Sequence, residues 1–213
     1  MPTPAFLSLD GLDGTGKSTQ CRMLVEWLAG QKIPVTACVD PGGTPLGQKL
    51  REILLHDKGH IATTAEALLF MASRAQLVAE VIRPALERGE VVVSDRYLLA
   101  NVVYQGHAGG LDAGELWQLG ALATGGLEPD LTLVFDLPLE LASARRGRIA
   151  DRMESRDEDF HRAVKRGFVF EAGRRPDRFR IIDAEPDADA VQKVVRREVA
   201  RLLKDRGWTT DAA

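Results

Sequence analysis

The sequence predicts an α/β protein with a doubly wound, five-stranded parallel sheet and helices on both faces. Short runs rich in Val, Leu, Ile and Phe alternate with longer helical patterns from end to end, as strands covered on both sides require. Three of those runs end on or run into Asp (Asp10, Asp95, Asp136), which places carboxylates at the carboxyl edge where such sheets bind ligands. The strands are expected at Ala5–Asp10, Pro34–Val39, Val91–Asp95, Leu131–Asp136 and Arg180–Ile182. Helices are expected to begin near Gly16, Thr44, Thr64, Asp112, Leu139, Glu158 and Asp187, several opened by Thr or Asp as an N-cap. Pro84 is expected to kink or restart one helix.

With 213 residues and no Pro/Gly/Ser linker, the chain reads as a single domain over residues 1–213. Hydrophobic residues make up 45% and charged residues 28%, which excludes a disordered or collagen-like chain. The 28 Lys+Arg against 31 Asp+Glu give a formal charge of −3, so no global field holds a nucleic acid or an anionic membrane. Any phosphate chemistry is therefore local. Cys21 and Cys38 are too few for a disulfide framework, and His56, His60, His107 and His161 have no metal-ligand spacing. No apolar run approaches the length of a membrane span, and the cytoplasm is the expected location.

Gly11-Leu12-Asp13-Gly14-Thr15-Gly16-Lys17-Ser18 fits G-x-x-x-x-G-K-[ST] between a strand and a helical pattern, the context that a phosphate-binding P-loop requires. Residues 11–18, with Thr19, are expected to bind ATP: the glycines let successive N–H groups face a phosphate, and the helix that follows points its positive end at it. Lys17 would reach the β- and γ-phosphates, and the Ser18 hydroxyl would coordinate Mg²⁺. A GTPase would carry Asn-Lys-x-Asp to read guanine, and no Asn-Lys pair exists in the chain.

At the end of the third strand, Asp95-Arg96-Tyr97 presents a carboxylate able to hold Mg²⁺ beside a guanidinium able to fork onto a phosphate. Tyr104-Gln105-Gly106 offers an aromatic ring and an amide. Phe70 and Arg74 lie at i and i+4 on one helix face, where a ring could stack on a base and a guanidinium donate to its carbonyl; a core role for Phe70 is the competing reading.

This ordered set resembles bacterial thymidylate kinases, in the nucleoside monophosphate kinase branch of P-loop proteins, over nearly the whole chain. Its carriers are residues 9–19, Asp40-Pro-Gly-Gly-Thr44, Leu69–Arg74, Asp95-Arg-Tyr97 with Tyr104-Gln105, Pro129-Asp-Leu-Thr132, Asp151-Arg-Met-Glu154 and Ile182-Asp-Ala184. The resemblance implies phosphoryl transfer from ATP to dTMP, giving dTDP, and a homodimer. It implies that Asp10 helps organise Mg²⁺ and the acceptor phosphate, that Arg51 and Arg96 clamp that phosphate, and that Phe70 stacks on thymine. Arg74 would reach a thymine carbonyl with Asn101 and Gln105 nearby, and Tyr104 would pack close to C2′ of the sugar. The segment departs from the family pattern at Val39-Asp40, where Arg-Glu is common, at Ala100, where Ser is usual, and at Phe168, often Tyr. The rival readings are a kinase for another nucleoside monophosphate or a deoxynucleoside, and a nucleotide-binding module without turnover.

Five arginines crowd residues 145–156, where a mobile cover would supply charge to the transferring phosphoryl group and exclude water. Some thymidylate kinases carry an arginine in the phosphate loop, and none occurs among Leu12 to Thr15; the chain resembles the type that supplies a catalytic arginine from the lid, which the resemblance places at Arg152 first and Arg148 next. Arg145 would lie near adenine together with Asp183-Ala184. Asp151 and Glu154, at i and i+3, could touch the metal, hold the lid shut or form a plain salt bridge. The segments Val78–Leu86 and Leu116–Leu122 suit a dimer contact or core packing equally.

Overall fold

The computed structural model describes residues 2–57, 59–146 and 151–210. In chain order the elements are β1 (Ala5–Gly11), α1 (Lys17–Gly30), β2 (Val35–Val39), α2 (Pro45–His56), α3 (Thr63–Leu77), a π-helical segment (Val78–Ile82) and α4 (Arg83–Glu87). There follow β3 (Val91–Asp95), α5 (Leu98–Asn101), a second π-helical segment (Val102–Ala108), α6 (Ala113–Thr124), β4 (Leu131–Asp136), α7 (Leu139–Arg146), α8 (Glu158–Arg174), β5 (Phe179–Asp183) and α9 (Ala188–Asp205).

All five strands are parallel, in the order β2-β3-β1-β4-β5, as the strand pattern predicts. β1 is central and buried at every residue, with Leu7 opposite Val93 on one side and Leu131 on the other. On one face, Leu24 and Leu28 of α1 and Val191, Val195 and Val199 of α9 pack against Leu7, Leu9 and Leu133. On the other, α3, α6 and the first π segment cover Phe6 and Val92, while Val103, Tyr104, Val164 and Phe168 surround Leu12 and Val134. The chain runs from β1 out to one edge at β2 and returns through β3 to the other side of β1, so the crevice at the carboxyl ends of the neighbouring β1 and β3 is where this topology binds ligands.

Three of the predicted caps are made: Thr44, Asp112 and Asp187 accept from Gly47, Glu115 and Ala190 N–H at 2.8–2.9 Å, whereas Thr64 lies inside α3, whose N-cap is Ala62 with no side-chain cap. Asp157 does the same for α8, accepting from Phe160 N–H at 2.8 Å. Pro84 lies in the first turn of α4, directly after the π segment of residues 78–82. Its missing N–H cannot close an α-helical hydrogen bond, and the widened register absorbs that loss. The helical stretch of residues 98–108 is not anticipated by periodicity, because it is buried nearly all round and has no polar stripe to reveal a period. Val78, Ile82, Ala85 and Leu116 are core, whereas Leu122 is 80% exposed. Among the described residues no helix is long and apolar enough to cross a membrane.

β1 ends on Gly11 at φ 140°, a conformation that a side chain rarely adopts, and a Cβ there would meet Phe135 O of β4 at 2.5 Å. Gly11→Ala should therefore cost about 2–3 kcal/mol, or roughly 5–10 °C in Tm. Gly30→Ala, where a Cβ meets nothing within 4 Å, should leave the melting temperature within about 2 °C of wild type. Thermal denaturation of the two variants checks both.

Candidate active site

The glycine-rich loop turns at the carboxyl end of β1 into α1, whose N-cap, Gly16, is left-handed (φ 88°) and makes no side-chain cap. The first N–H groups of α1 are thus uncapped by any side chain and open toward an anion. The loop forms one wall of a cavity of about 480 Å³ through Asp13, Gly14, Gly16, Lys17, Ser18 and Thr19. Gly11, Leu12 and Thr15 stand behind this wall. The side chain of Leu12 is in the core, and its carbonyl accepts from Lys17 Nζ at 2.6 Å and Thr15 Oγ1 at 2.8 Å. Burial, helped by the nearby Arg96 charge, pulls the Lys17 ammonium down to about 8.

The opposite wall comes from α2, α3, α5 and the second π segment: Arg51, Phe70, Arg74, Asn101, Tyr104 and Gln105 all line the cavity. Of the predicted acceptor set, the structure brings together every member but Asp10. The π-helical register puts Tyr104 and Gln105 on the wall while Val102 and Val103 stay in the core. Arg51 donates to Pro41 O at 2.7 Å. Arg74 is 1% exposed and heavily committed: Nε donates to Asp40 Oδ2 at 2.6 Å, Nη1 to Asn101 Oδ1 at 3.0 Å and Nη2 to Tyr97 O at 3.3 Å. The departure at Val39-Asp40 therefore still delivers a carboxylate to this arginine. Phe168, the aromatic departure, packs edge-on to Tyr104 with ring centroids 6.1 Å apart.

Between the two walls stand Asp95, the last residue of β3, and Arg96 directly after it. Ser18 Oγ donates to Asp95 Oδ2 at 2.5 Å, so a hydroxyl and a carboxylate converge on one point of the cavity. These are hard oxygen donors, and they fit Mg²⁺ completed by phosphate oxygens and waters. Among the described residues no group of three His, Cys, Asp or Glu forms a cage of its own. Arg96 has a left-handed backbone (φ 69°), with its N–H donating to Leu9 O at 2.9 Å. Its guanidinium donates to Gly11 O at 3.0 Å and Asp13 Oδ1 at 2.5 Å, and Tyr104 Oη donates to Asp13 Oδ2 at 3.1 Å. Burial opposes ionisation of Asp13, but the charges of Arg96 and Lys17 overcome it and hold the carboxyl well below the usual carboxylate range.

Two expectations are corrected. Asp10 does not reach the metal or acceptor side: strand alternation sends it to the same face as Ser8, whose hydroxyl donates to it at 2.6 Å. It is fully buried, lines a separate cavity of about 20 Å³, and burial raises its pKa, which disfavours the anion a metal would need. Asp13, three residues on, is the loop carboxylate that enters the large cavity. Arg152 lies off the cavity wall between Asp151 and Met153, which line it. Its Nε donates to Leu54 O at 2.8 Å and its Nη2 is paired with Glu66. Arg148 lies outside the described residues.

Asp151 and Glu154 hold the turn of their own segment: Asp151 Oδ1 accepts from Met153 and Glu154 N–H at 2.9 Å each, and Glu154 Oε2 accepts from Asp151 N–H at 3.1 Å. Arg145 lines the cavity and donates to Ala184 O at 2.7 Å and Glu185 O at 2.8 Å, the predicted neighbourhood. Sequence reasoning gave no role to Glu66, although Glu66, Phe70 and Arg74 recur every fourth residue on one face of α3.

A family model described as thymidylate kinase matches residues 9–195. The chain is 43% identical over 203 residues to a thymidylate kinase of Symbiobacterium thermophilum, covering 94% of this chain and 95% of that one. It is 46% identical over 205 residues to a thymidylate kinase of Clavibacter sepedonicus, covering 94% and 97%. Its fold is similar to the crystal structure of a thymidylate kinase from Ehrlichia chaffeensis, with a TM-score of 0.78 and 26% identity over 93% of this chain and all of that one.

The depressed Lys17 ammonium sets a pH limit. Above about pH 8 the free protein loses the proton that a triphosphate needs, so affinity should fall by up to about tenfold per pH unit. Titration of a fluorescent ATP analogue between pH 7 and 9.5 reads this directly, and a flat profile contradicts it. Arg96 permits a backbone test. Arg96→Ala and Arg96→Gly remove the same guanidinium, but only glycine accepts φ 69° without strain, so Arg96→Gly should be about 1 kcal/mol the more stable in denaturant unfolding.

Proposed function

The chain belongs to the thymidylate kinase family, so its reaction is the ATP-dependent phosphorylation of dTMP to dTDP, and we propose that the large cavity carries it out with the residue roles given below. The observation that supports this assignment is the continuity of one cavity from the phosphate loop to an aromatic and amide wall, with Asp95 and Arg96 between them.

In this reading the N–H groups of the loop and Lys17 hold the β- and γ-phosphates of ATP, and Arg145 lies on the adenine side. Ser18 and Asp95 hold Mg²⁺, which when bound neutralises charge on the ATP phosphates. On the acceptor side Phe70 stacks on the base, and the last donors of Arg74, Asn101 and Gln105 meet its carbonyl groups. Tyr104 packs against the sugar. Arg51 and Arg96 take the acceptor phosphate. Asp13 orients Arg96, so that the guanidinium meets the transferring group without having to reorganise. The acceptor oxygen is already anionic at neutral pH and needs no general base, so catalysis is positioning plus charge. A homodimer is the assembly the family resemblance implies. Leu122 at the end of α6 offers apolar surface for such a contact, whereas Val78 and Ile82 are already spent in the core.

A coupled ADP-release assay over dTMP, dUMP, dCMP, dGMP and UMP tests the acceptor, with dTMP expected to give the highest kcat/KM. Equal turnover of all five contradicts the reading. Phe70→Ala should raise the KM for dTMP by about tenfold or more, since a stacked base is worth about 1–3 kcal/mol, and leave the KM for ATP within about twofold. Arg96→Ala should instead act on kcat, lowering it by about 10²–10³.

A further inference from the structure

Glu66 is buried in the first turn of α3, outside the cavity wall, yet it touches both the acceptor pocket and the arginine-bearing segment. Its Oε1 accepts from Gln105 Nε2 at 2.7 Å. Its Oε2 is ion-paired with Arg152 Nη2, and Arg156 Nη2 stands 3.8 Å away. Behind Gln105 the chain of contacts continues: Gln105 Oε1 accepts from Asn101 Nδ2 at 2.7 Å, Asn101 Oδ1 from Arg74 Nη1 at 3.0 Å, and Asp40 takes Arg74 Nε.

The two ends of this chain fix its direction. A guanidinium only donates and a carboxylate only accepts, so Arg74 at one end and Glu66 at the other set both amide orientations. Asn101 and Gln105 each then keep one N–H for a ligand. The same carboxylate that settles Gln105 anchors Arg152, whose other contacts, through its Nε and its backbone N–H, are the carbonyls of Leu54 and Leu55. Anchored there, Arg152 holds its neighbours Asp151 and Met153 in the cavity wall.

We propose that Glu66 is a positioning residue that ties acceptor recognition to the placement of residues 151–156: one oxygen orients Gln105 and the other holds Arg152. Arg152 then acts on the acceptor side of the reaction, as an anchor for the wall and not as a ligand of the ATP phosphates. This rests on dTMP being the acceptor.

The test measures kcat and both KM values for wild type, Glu66→Ala, Glu66→Gln, Arg152→Ala and the Glu66→Ala/Arg152→Ala double variant, with a thermal melt on each. Glu66→Ala, which loses the charge-assisted hydrogen bond from Gln105, and Arg152→Ala, which loses the buried ion pair, should each raise the KM for dTMP by about tenfold and leave the KM for ATP within about twofold. The double variant should be no worse than the poorer single one. Glu66→Gln, which can still accept from Gln105 but loses the ion pair with Arg152, should raise the KM for dTMP by about as much as Arg152→Ala and keeps the test open should Glu66→Ala fail to fold. A KM for dTMP unchanged in Glu66→Gln, effects that add in the double variant, or a rise shared equally by ATP overturns the proposal. A wild type that does not phosphorylate dTMP overturns the acceptor reading itself.

Discussion

The pairing of Asp13 with Arg96 is the constraint on which the rest of the site depends. It joins the loop after β1 to the end of β3, two segments distant in sequence but adjacent in the sheet, and it draws in Gly11 O and the Tyr104 hydroxyl. Removing one partner of a pair this enclosed leaves the other charge without compensation, an arrangement that costs about 3–5 kcal/mol when fully buried and less here, where the two side chains keep 22% and 16% exposure. The left-handed backbone of Arg96 is tolerated because so many contacts fix its orientation. The protein's own contacts therefore fix the guanidinium at the junction of the phosphate loop and the end of β3, with no ligand needed to place it.

The same logic runs through the cavity. Four cations that line the cavity are each held by an oxygen: Lys17 by the Leu12 carbonyl, Arg51 by that of Pro41, Arg74 by Asp40, Arg145 by Ala184. Unshielded, these like charges would repel and shift one another, as Arg96 does Lys17. The buried pairs and the carbonyl-held cations are not equivalent. Arg74 cannot leave Asp40 without stranding a buried carboxylate, so it is a fixed part of the wall, whereas Lys17 and Arg51 can exchange a carbonyl for a phosphate oxygen at little cost.

Much of this was legible in the sequence because it is periodic or local. Strand runs, Asp and Thr caps, the loop of residues 11–18 and the Phe70/Arg74 spacing each depend on a few neighbouring residues, and the structure places them as expected. What could not be read depends on geometry that only the sheet creates. Asp10 and Asp13 are both carboxylates flanking Gly11. Which one enters the cavity is decided by the strand parity that pairs Asp10 with Ser8, and by the curl of the loop beyond Gly11. The helical stretch of residues 98–108 carries no amphipathic signal because its burial is nearly complete, and the π register that presents Tyr104 and Gln105 leaves no mark in composition.

Arg152 shows the limit of reading charge clusters. In sequence it is one of five arginines in twelve positions, and a cluster of that density suggests a cover over phosphates. In three dimensions the three whose side chains are described, Arg145, Arg152 and Arg156, divide between two jobs. Arg145 lines the cavity and hydrogen-bonds the segment after β5, while Arg152 and Arg156 turn toward Glu66 on α3. A carboxylate buried at the base of the acceptor wall selects which arginines it will hold, since an uncompensated charge there is far more costly than one exposed on a lid. The partition therefore follows from the position of Glu66, four residues before Phe70 on the α3 face whose Phe70 and Arg74 line the cavity.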